Sequence, residues 1–320
     1  MKKILAILLI SLMMMFVFGA LAYAGGAPLP LPKRLGVTMA PPMALGGEFS
    51  LGNPAELTEV AKTTLEAGFG TASLDGASYA TNAQSFTYVN DWGVARLNRF
   101  GAKHSSDVVE GVGYSATASN YEVIAAKKLG NWDIGGAAVL ADNDTRKVSV
   151  TSTLGTSSMW TKNSSDFEGR LGVNFTENRF KFGLAGGIER GDTEFGAFST
   201  TETAPRSAVF SLPYKAKTLL ATIQYKTGNT TLKGGWKGVW IDSFNFETSL
   251  PLKTRLSSLF LTASQKIKNF TVTLGGARDL FGLAAKYESG NWVANAQYTK
   301  AGSKSHFGTT SFFVTAGYKF

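Results

Sequence analysis

Cysteine is absent from all 320 residues, so the chain has no disulfide framework and no thiolate metal site. Histidine is nearly absent. His104 and His306 are the only two, and neither has a second metal-ligand type at useful spacing. Ser105 and Asp107 flank His104, but a polar segment supplies such neighbours by chance, and the reading is of a non-enzyme with no catalytic residue, metal or cofactor. Basic residues outnumber acidic ones, 32 to 23, yet nowhere do five or six cluster, which removes nucleic acid as a partner. Beyond residue 24 no apolar run approaches the roughly 18 residues a membrane helix needs. Proline is scarce after residue 54: Pro205, Pro213 and Pro251 are the only three, and each is expected in a loop, since proline breaks a strand ladder.

What is present begins with "MKKILAILLISLMMMFVFGALAYA", two lysines followed by an apolar stretch ending in Ala22 and Ala24, spaced as at a small-residue cleavage site. Residues 1–24 are expected to be a secretory signal peptide, the alternative being a retained anchor. The exported chain, 25–320, then keeps 30 Lys+Arg against 23 Asp+Glu, a net charge of +7. With 36 glycines and only 17% charged residues it matches neither a disordered chain nor an ordinary soluble enzyme.

From residue 62 the pattern is period-two alternation in segments of about ten residues. In "NWVANAQYTK", Trp292, Ala294, Ala296 and Tyr298 alternate with Val293, Asn295, Gln297 and Thr299. In "RFKFGLAGGIER", Phe180, Phe182, Leu184 and Ile188 oppose Lys181, Gly183, Gly187 and Glu189. The connections alternate as well. Short ones fall at 89–92, 129–132, 176–179, 227–230, 266–269 and 289–292, each with an asparagine able to adopt the left-handed conformation of a tight hairpin. Mostly longer polar ones fall at 75–82, 105–118, 143–164, 191–213, 246–253, 278–280 and 301–305. Short turns at one end and long loops at the other point to an all-β, transmembrane antiparallel barrel over residues 62–320, in the outer membrane.

The strands read as 63–74, 83–89, 92–104, 119–128, 132–142, 165–176, 179–190, 214–226, 230–245, 254–265, 269–277, 281–288, 292–300 and 306–320. That makes fourteen, twelve being the alternative because the second and third are weakest. Trp92, Trp132 and Trp292 would each open a strand at an aromatic girdle. The inward face would carry Glu168, Arg170, Lys181, Glu189, Lys233, Lys237 and Lys286, paired across the wall and to whatever fills the lumen. The loops at 143–164 and 191–213 hold Met159, Trp160, Phe195, Phe198, Phe210 and Leu212, apolar residues expected to form a capture surface for a small hydrophobic ligand. The outward face of the last strand would meet outer-membrane lipid and lipopolysaccharide.

Residues 25–61 are rich in proline and glycine, do not alternate, and carry more apolar side chains than a solvated tail needs, which suits a segment folded into the lumen. "GGEFSLGNPAELTEVAKTTLEAGFG" resembles the N-terminal hatch of the FadL-type transporters of hydrophobic compounds, with the Asn-Pro-Ala motif on Asn53, Pro54 and Ala55. The stretch between Gly47 and Asn53 is shorter than in that family. The resemblance implies a fourteen-stranded barrel plugged by its hatch, passive uptake of fatty acids or aromatic hydrocarbons, and a groove built by the loops after the fifth and seventh strands. A general diffusion porin and a non-transporting secretion or assembly partner remain as alternatives. The ending, with Phe312, Val314, Ala316, Tyr318 and Phe320 on one face, resembles the C-terminal signal that the barrel-assembly machinery reads.

Overall fold

A computed structural model describes residues 52–74, 77–109, 112–152, 155–201, 204–244, 251–277, 280–301 and 309–320. The expected leader, residues 25–51 of the expected hatch, and His306 lie outside the described residues. A short 3-10 helix, Pro54–Glu59, precedes fourteen strands. They are β1 Thr64–Leu74, β2 Ala77–Asn90, β3 Gly93–Val109, β4 Val112–Leu129, β5 Trp132–Ser152, β6 Gly155–Glu177 and β7 Phe180–Thr201, followed by β8 Ala204–Thr227, β9 Thr230–Phe244, β10 Pro251–Ile267, β11 Phe270–Ala277, β12 Leu280–Ser289, β13 Trp292–Ala301 and β14 Thr309–Lys319. Each pairs with its neighbours antiparallel, and β1 pairs with β14, so the sheet is closed and the count is fourteen rather than twelve.

Closure explains the alternation. Leu171, Phe180, Phe182, Leu184, Ile223, Leu259 and Trp292 are exposed, which in water would be a liability and in lipid is the stable arrangement. Their strand neighbours Asn174, Ala185, Leu220, Phe260 and Val293 are buried inside. At the seam, Phe313 of β14 faces inward and lays its ring over Gly68 and Gly70 of β1, where added Cβ atoms would meet that ring at 2.7 Å. The Phe320 amide donates to the Thr63 carbonyl at 2.9 Å, carrying the β14–β1 ladder one residue past the strand ends.

The short turns are two residues long, and a left-handed residue opens five of them: Gly130 (φ 61°), Asn178 (φ 54°), Gly228 (φ 56°), Lys268 (φ 54°) and Gly290 (φ 58°). Asparagine therefore takes the left-handed position only at 178. At the other turns it stands second, and the carbonyls of Asn131, Asn229, Asn269 and Asn291 accept hydrogen bonds from Thr176, Lys266, Glu288 and Lys319 of the next hairpin. The turns are thus bonded to one another around the rim. Trp132 and Trp292 begin β5 and β13 as expected, whereas Trp92 lies in a turn, with Asn90 Oδ1 accepting from its amide at 3.0 Å.

The expected loops are the main correction. Positions 105–118, 143–164 and 191–213 are mostly strand, so β5, β6, β7 and β8 run to 21, 23, 22 and 24 residues while β11 has 8. A barrel strand crosses the bilayer in roughly 9–11 residues, so about half of each long strand stands beyond it as one projecting wall. Pro205 and Pro213 lie within β8 and Pro251 opens β10, against the expectation that all three sit in loops. The first two are tolerated because, among the described residues, β8 before Lys215 pairs with β7 alone, leaving one backbone edge that needs no N–H. His104 likewise falls within β3, opposite Ala116, not at a strand end.

Among the described residues, one ladder of the wall is interrupted over several positions. The β5–β6 ladder pairs Val139 with Glu168 and next Asn143 with Ser164, with no pair between. On the flanking ladders the register shifts at the same height, between Tyr121 and Glu122 of β4 and between Ser165 and Phe167 of β6. Paired bulges on both sides of a gap bend the wall locally.

Candidate functional site

The lumen near the turn end holds residues 52–60. Asn53 caps the 3-10 helix: its Oδ1 accepts from the Ala55 amide at 3.0 Å while its backbone carbonyl accepts from Glu56 at 3.0 Å, and Pro54 follows where a helix start needs no N–H. The amide end of the same side chain turns to the wall, donating to Asn174 Oδ1 at 2.8 Å and to the Val173 carbonyl at 3.3 Å. One fully buried asparagine thereby joins the helix start to β6.

Glycines make this approach feasible. Cβ atoms added at Gly135 of β5 would stand 2.5 Å from the Ala55 amide nitrogen and the Pro54 carbonyl carbon. One at Gly172 of β6 would collide with Asn53 Oδ1, and one at Gly183 of β7 would meet Asn174 Oδ1 at 2.6 Å and Asn53 Nδ2 at 3.1 Å. Three neighbouring strands thus offer bare backbone as a cradle for Asn-Pro-Ala. Beside it, buried Leu57 packs on Val94, Ile124 and Ala126 of β3 and β4, a contact that contributes about 2 kcal/mol.

Charge completes the seat. Lys233 of β9 reaches Glu56 at 2.6 Å, and Lys181 of β7 sits between Glu59 at 2.8 Å and Asp133 of β5 at 3.1 Å. The helix therefore leans on β3–β6 and is tied across to β7 and β9. The other expected lining residues also face inward. Arg170 pairs with Glu122, to which Asn98 donates at 3.2 Å. Glu189 accepts from the Tyr214 hydroxyl at 2.6 Å and is the register partner of Glu168. Lys237 stands on β9 and Lys286 reaches Glu288 at 3.3 Å. Glu288 also holds Lys319 at 2.5 Å.

The lumen is consequently two-sided. Most of its charges gather on β3–β9, with Glu66, Lys286, Glu288 and Lys319 nearer the turn end of the other strands, while beyond Lys286 the described inner face of β10–β14 is neutral: Phe260, Thr262, Thr273, Ala277, Ala284 and Phe313 are all buried, and buried Asn295 stands opposite Lys286. Asn295 is distinctive, for neither its Nδ2 nor its Oδ1 has a partner.

The six expected capture residues lie on strands of the projecting wall, not in loops. Register sets Met159 opposite Ala197, Trp160 opposite Gly196, Phe198 opposite Ser158, Phe195 opposite Phe210 and Leu212 opposite Thr193. Met159, Phe195, Phe210 and Leu212 fall on one face of that sheet, continuous with the lumen-facing Glu189 and Tyr214, and Trp160 and Phe198 fall on the other. On β14 Phe312, Ala316 and Phe320 are exposed, and Tyr318 stacks edge-on against Trp292 and Phe320. The glycine cradle and the bonded turns were not foreseen. The turn bonds leave no mark in the sequence, and the cradle leaves only glycines at inward positions of β5–β7, which read alike whether they face water or backbone.

No protein-family model matches the sequence, and no curated protein matches it. Solved structures do. The toluene transporter TbuX of Ralstonia pickettii superposes with a TM-score of 0.59 at 11% identity, over 84% of this chain and 92% of that one. A FadL homologue of Pseudomonas aeruginosa gives 0.59 at 12% identity, over 92% and 100%. The translocator domain of autotransporter NalP from Neisseria meningitidis gives 0.50 at 12% identity, over 82% and 90%. At such identities the likeness is one of fold, and the chain has a FadL-like fold: a closed, fourteen-stranded antiparallel barrel with an apolar exterior.

Proposed function

We propose that this protein is an outer-membrane transporter that admits small hydrophobic compounds passively, of the aromatic hydrocarbon or fatty acid class. The observation that carries the reading is the seated helix. A barrel of this width would hold water unless filled, and here the lumen carries an N-terminal segment held by a cap, a glycine cradle and two cross-lumen ion pairs. A lumen filled by that segment would suit a diffusion pore for ions and sugars poorly. The neutral β10–β14 face would give an uncharged compound a route beside the plug, and Asn295, opposite Lys286 at the lower edge of that face, has side-chain atoms without a partner that a ligand could take. The ladder gap between β5 and β6 is the place where such a compound would leave sideways. Capture falls to Met159, Phe195, Phe210 and Leu212, whose face runs down into the lumen. The solved transporters with this fold support the same direction.

The test is entry of labelled toluene, at low micromolar concentration, into cells with and without the protein. Entry should be faster with it. Phe195→Ser with Phe210→Ser should slow entry, each large apolar group contributing on the order of 2 kcal/mol, whereas Trp160→Ser with Phe198→Ser should leave the rate unchanged. Equal entry with and without the protein would overturn the reading.

A further inference from the structure

The outward face of the barrel changes character abruptly on four adjacent strands. On β7 the exposed residues Phe180, Phe182, Leu184 and Ile188 give way to exposed Arg190. On β8, Leu219 and Ile223 give way to Lys217 and Lys215, and on β10 Leu259 gives way to Arg255 and Lys253. Register puts these changes at one height. Lys217 pairs with Trp240 of β9 and Trp240 with Arg255, while Arg190 pairs with Lys215, Lys215 with Asp242, and Asp242 with Lys253. From Tyr225, near the turn end, to Lys217 is eight residues of tilted strand, about 20 Å along the barrel axis, close to the roughly 25 Å of a barrel's apolar band. The five basic side chains thus ring the far edge of the apolar band over β7–β10. Asp242 is the one acid among them, and among the described residues no ion pair holds any of the five. Arg255 instead lies 5.5 Å over the Trp240 ring, and Trp240 packs against Trp236 across buried Gly238.

We infer that this face is a binding site for the lipid A part of lipopolysaccharide. The inference rests on the outer-membrane placement proposed above, which makes the edge away from the short turns the outer leaflet. Phosphate groups at that edge would take charge-assisted hydrogen bonds from Lys215, Lys217, Lys253 and Arg255, and the acyl chains would lie below on Leu219, Leu259 and Trp236. Four strands span three interstrand steps, about 14 Å, which fits a disaccharide with a phosphate at each end better than a phospholipid with one. Among the described residues the rest of the outward face away from the short turns offers nothing similar: β13 has Lys300 and β3 has Arg99, whose guanidinium sits over Tyr121.

The experiment measures lipid A binding to the purified full-length barrel in detergent, by native mass spectrometry. The parent and the control variant Arg99→Gln with Lys300→Gln should bind alike. The variant Lys215→Gln, Lys217→Gln, Lys253→Gln, Arg255→Gln should bind at least tenfold more weakly, and the parent should bind dephosphorylated lipid A as weakly as that variant binds intact lipid A. Heat-modifiable migration reports that each barrel is folded. Should the fourfold variant misfold, Lys217→Gln with Arg255→Gln is read in its place, with a loss of several-fold expected. Undiminished lipid A binding by the folded variant would overturn the inference, and so would equal binding of phosphatidylglycerol by the parent. Toluene entry does not enter this readout, so the site stands or falls separately from the transport reading.

Discussion

At Asn53 one side chain serves two structures, and that makes it a sensitive position. Asn53→Ala removes a helix cap, worth about 1 kcal/mol, and leaves Asn174 Oδ1 buried without its donor at 2.8 Å, a loss of about 1–3 kcal/mol. The variant should keep its barrel, since no strand depends on Asn53, and should lose amide-exchange protection over residues 55–59. Gly172→Ala should do the same from the wall side, because its Cβ would occupy the place of Asn53 Oδ1. Unchanged protection in both variants would show that the cradle does not hold the helix. The motif was legible in the sequence because Asn-Pro-Ala couples a cap to a residue preset for a helix start. The cradle was not, for a glycine at an inward strand position looks the same whether it faces water or a backbone.

The strands themselves were legible in number and poorly in length. Alternation reports a difference between two environments, and lipid against lumen is such a difference. Above the membrane both faces of β5–β8 leave the lipid, so segments such as "TSSMWTKNSS" carry no apolar side and read as loop although the backbone continues as ladder. Bulges add to this: the register shift between Ser165 and Phe167 exchanges the two faces of β6 partway along, which is why Met159 and not Trp160 continues the lumen side. At the seam the pattern was enough. Deleting Phe320 would remove the amide bonded to Thr63 and a ring stacked 5.2 Å from Tyr318, together about 2 kcal/mol. The amount of heat-modifiable barrel in the membrane fraction should fall. Unaltered assembly would remove the role given to that final residue.

For the molecule as a whole, the account depends on an occupied lumen. Ion current through the purified full-length protein in a planar bilayer tests this most directly. The intact barrel should conduct poorly, and Asn53→Ala should show brief openings. Removal of residues 27–58 should give steady current that prefers anions, since Lys233 then loses Glu56 as its counter-charge. Large, stable conductance by the unmodified protein would contradict the account and make the barrel a general diffusion pore.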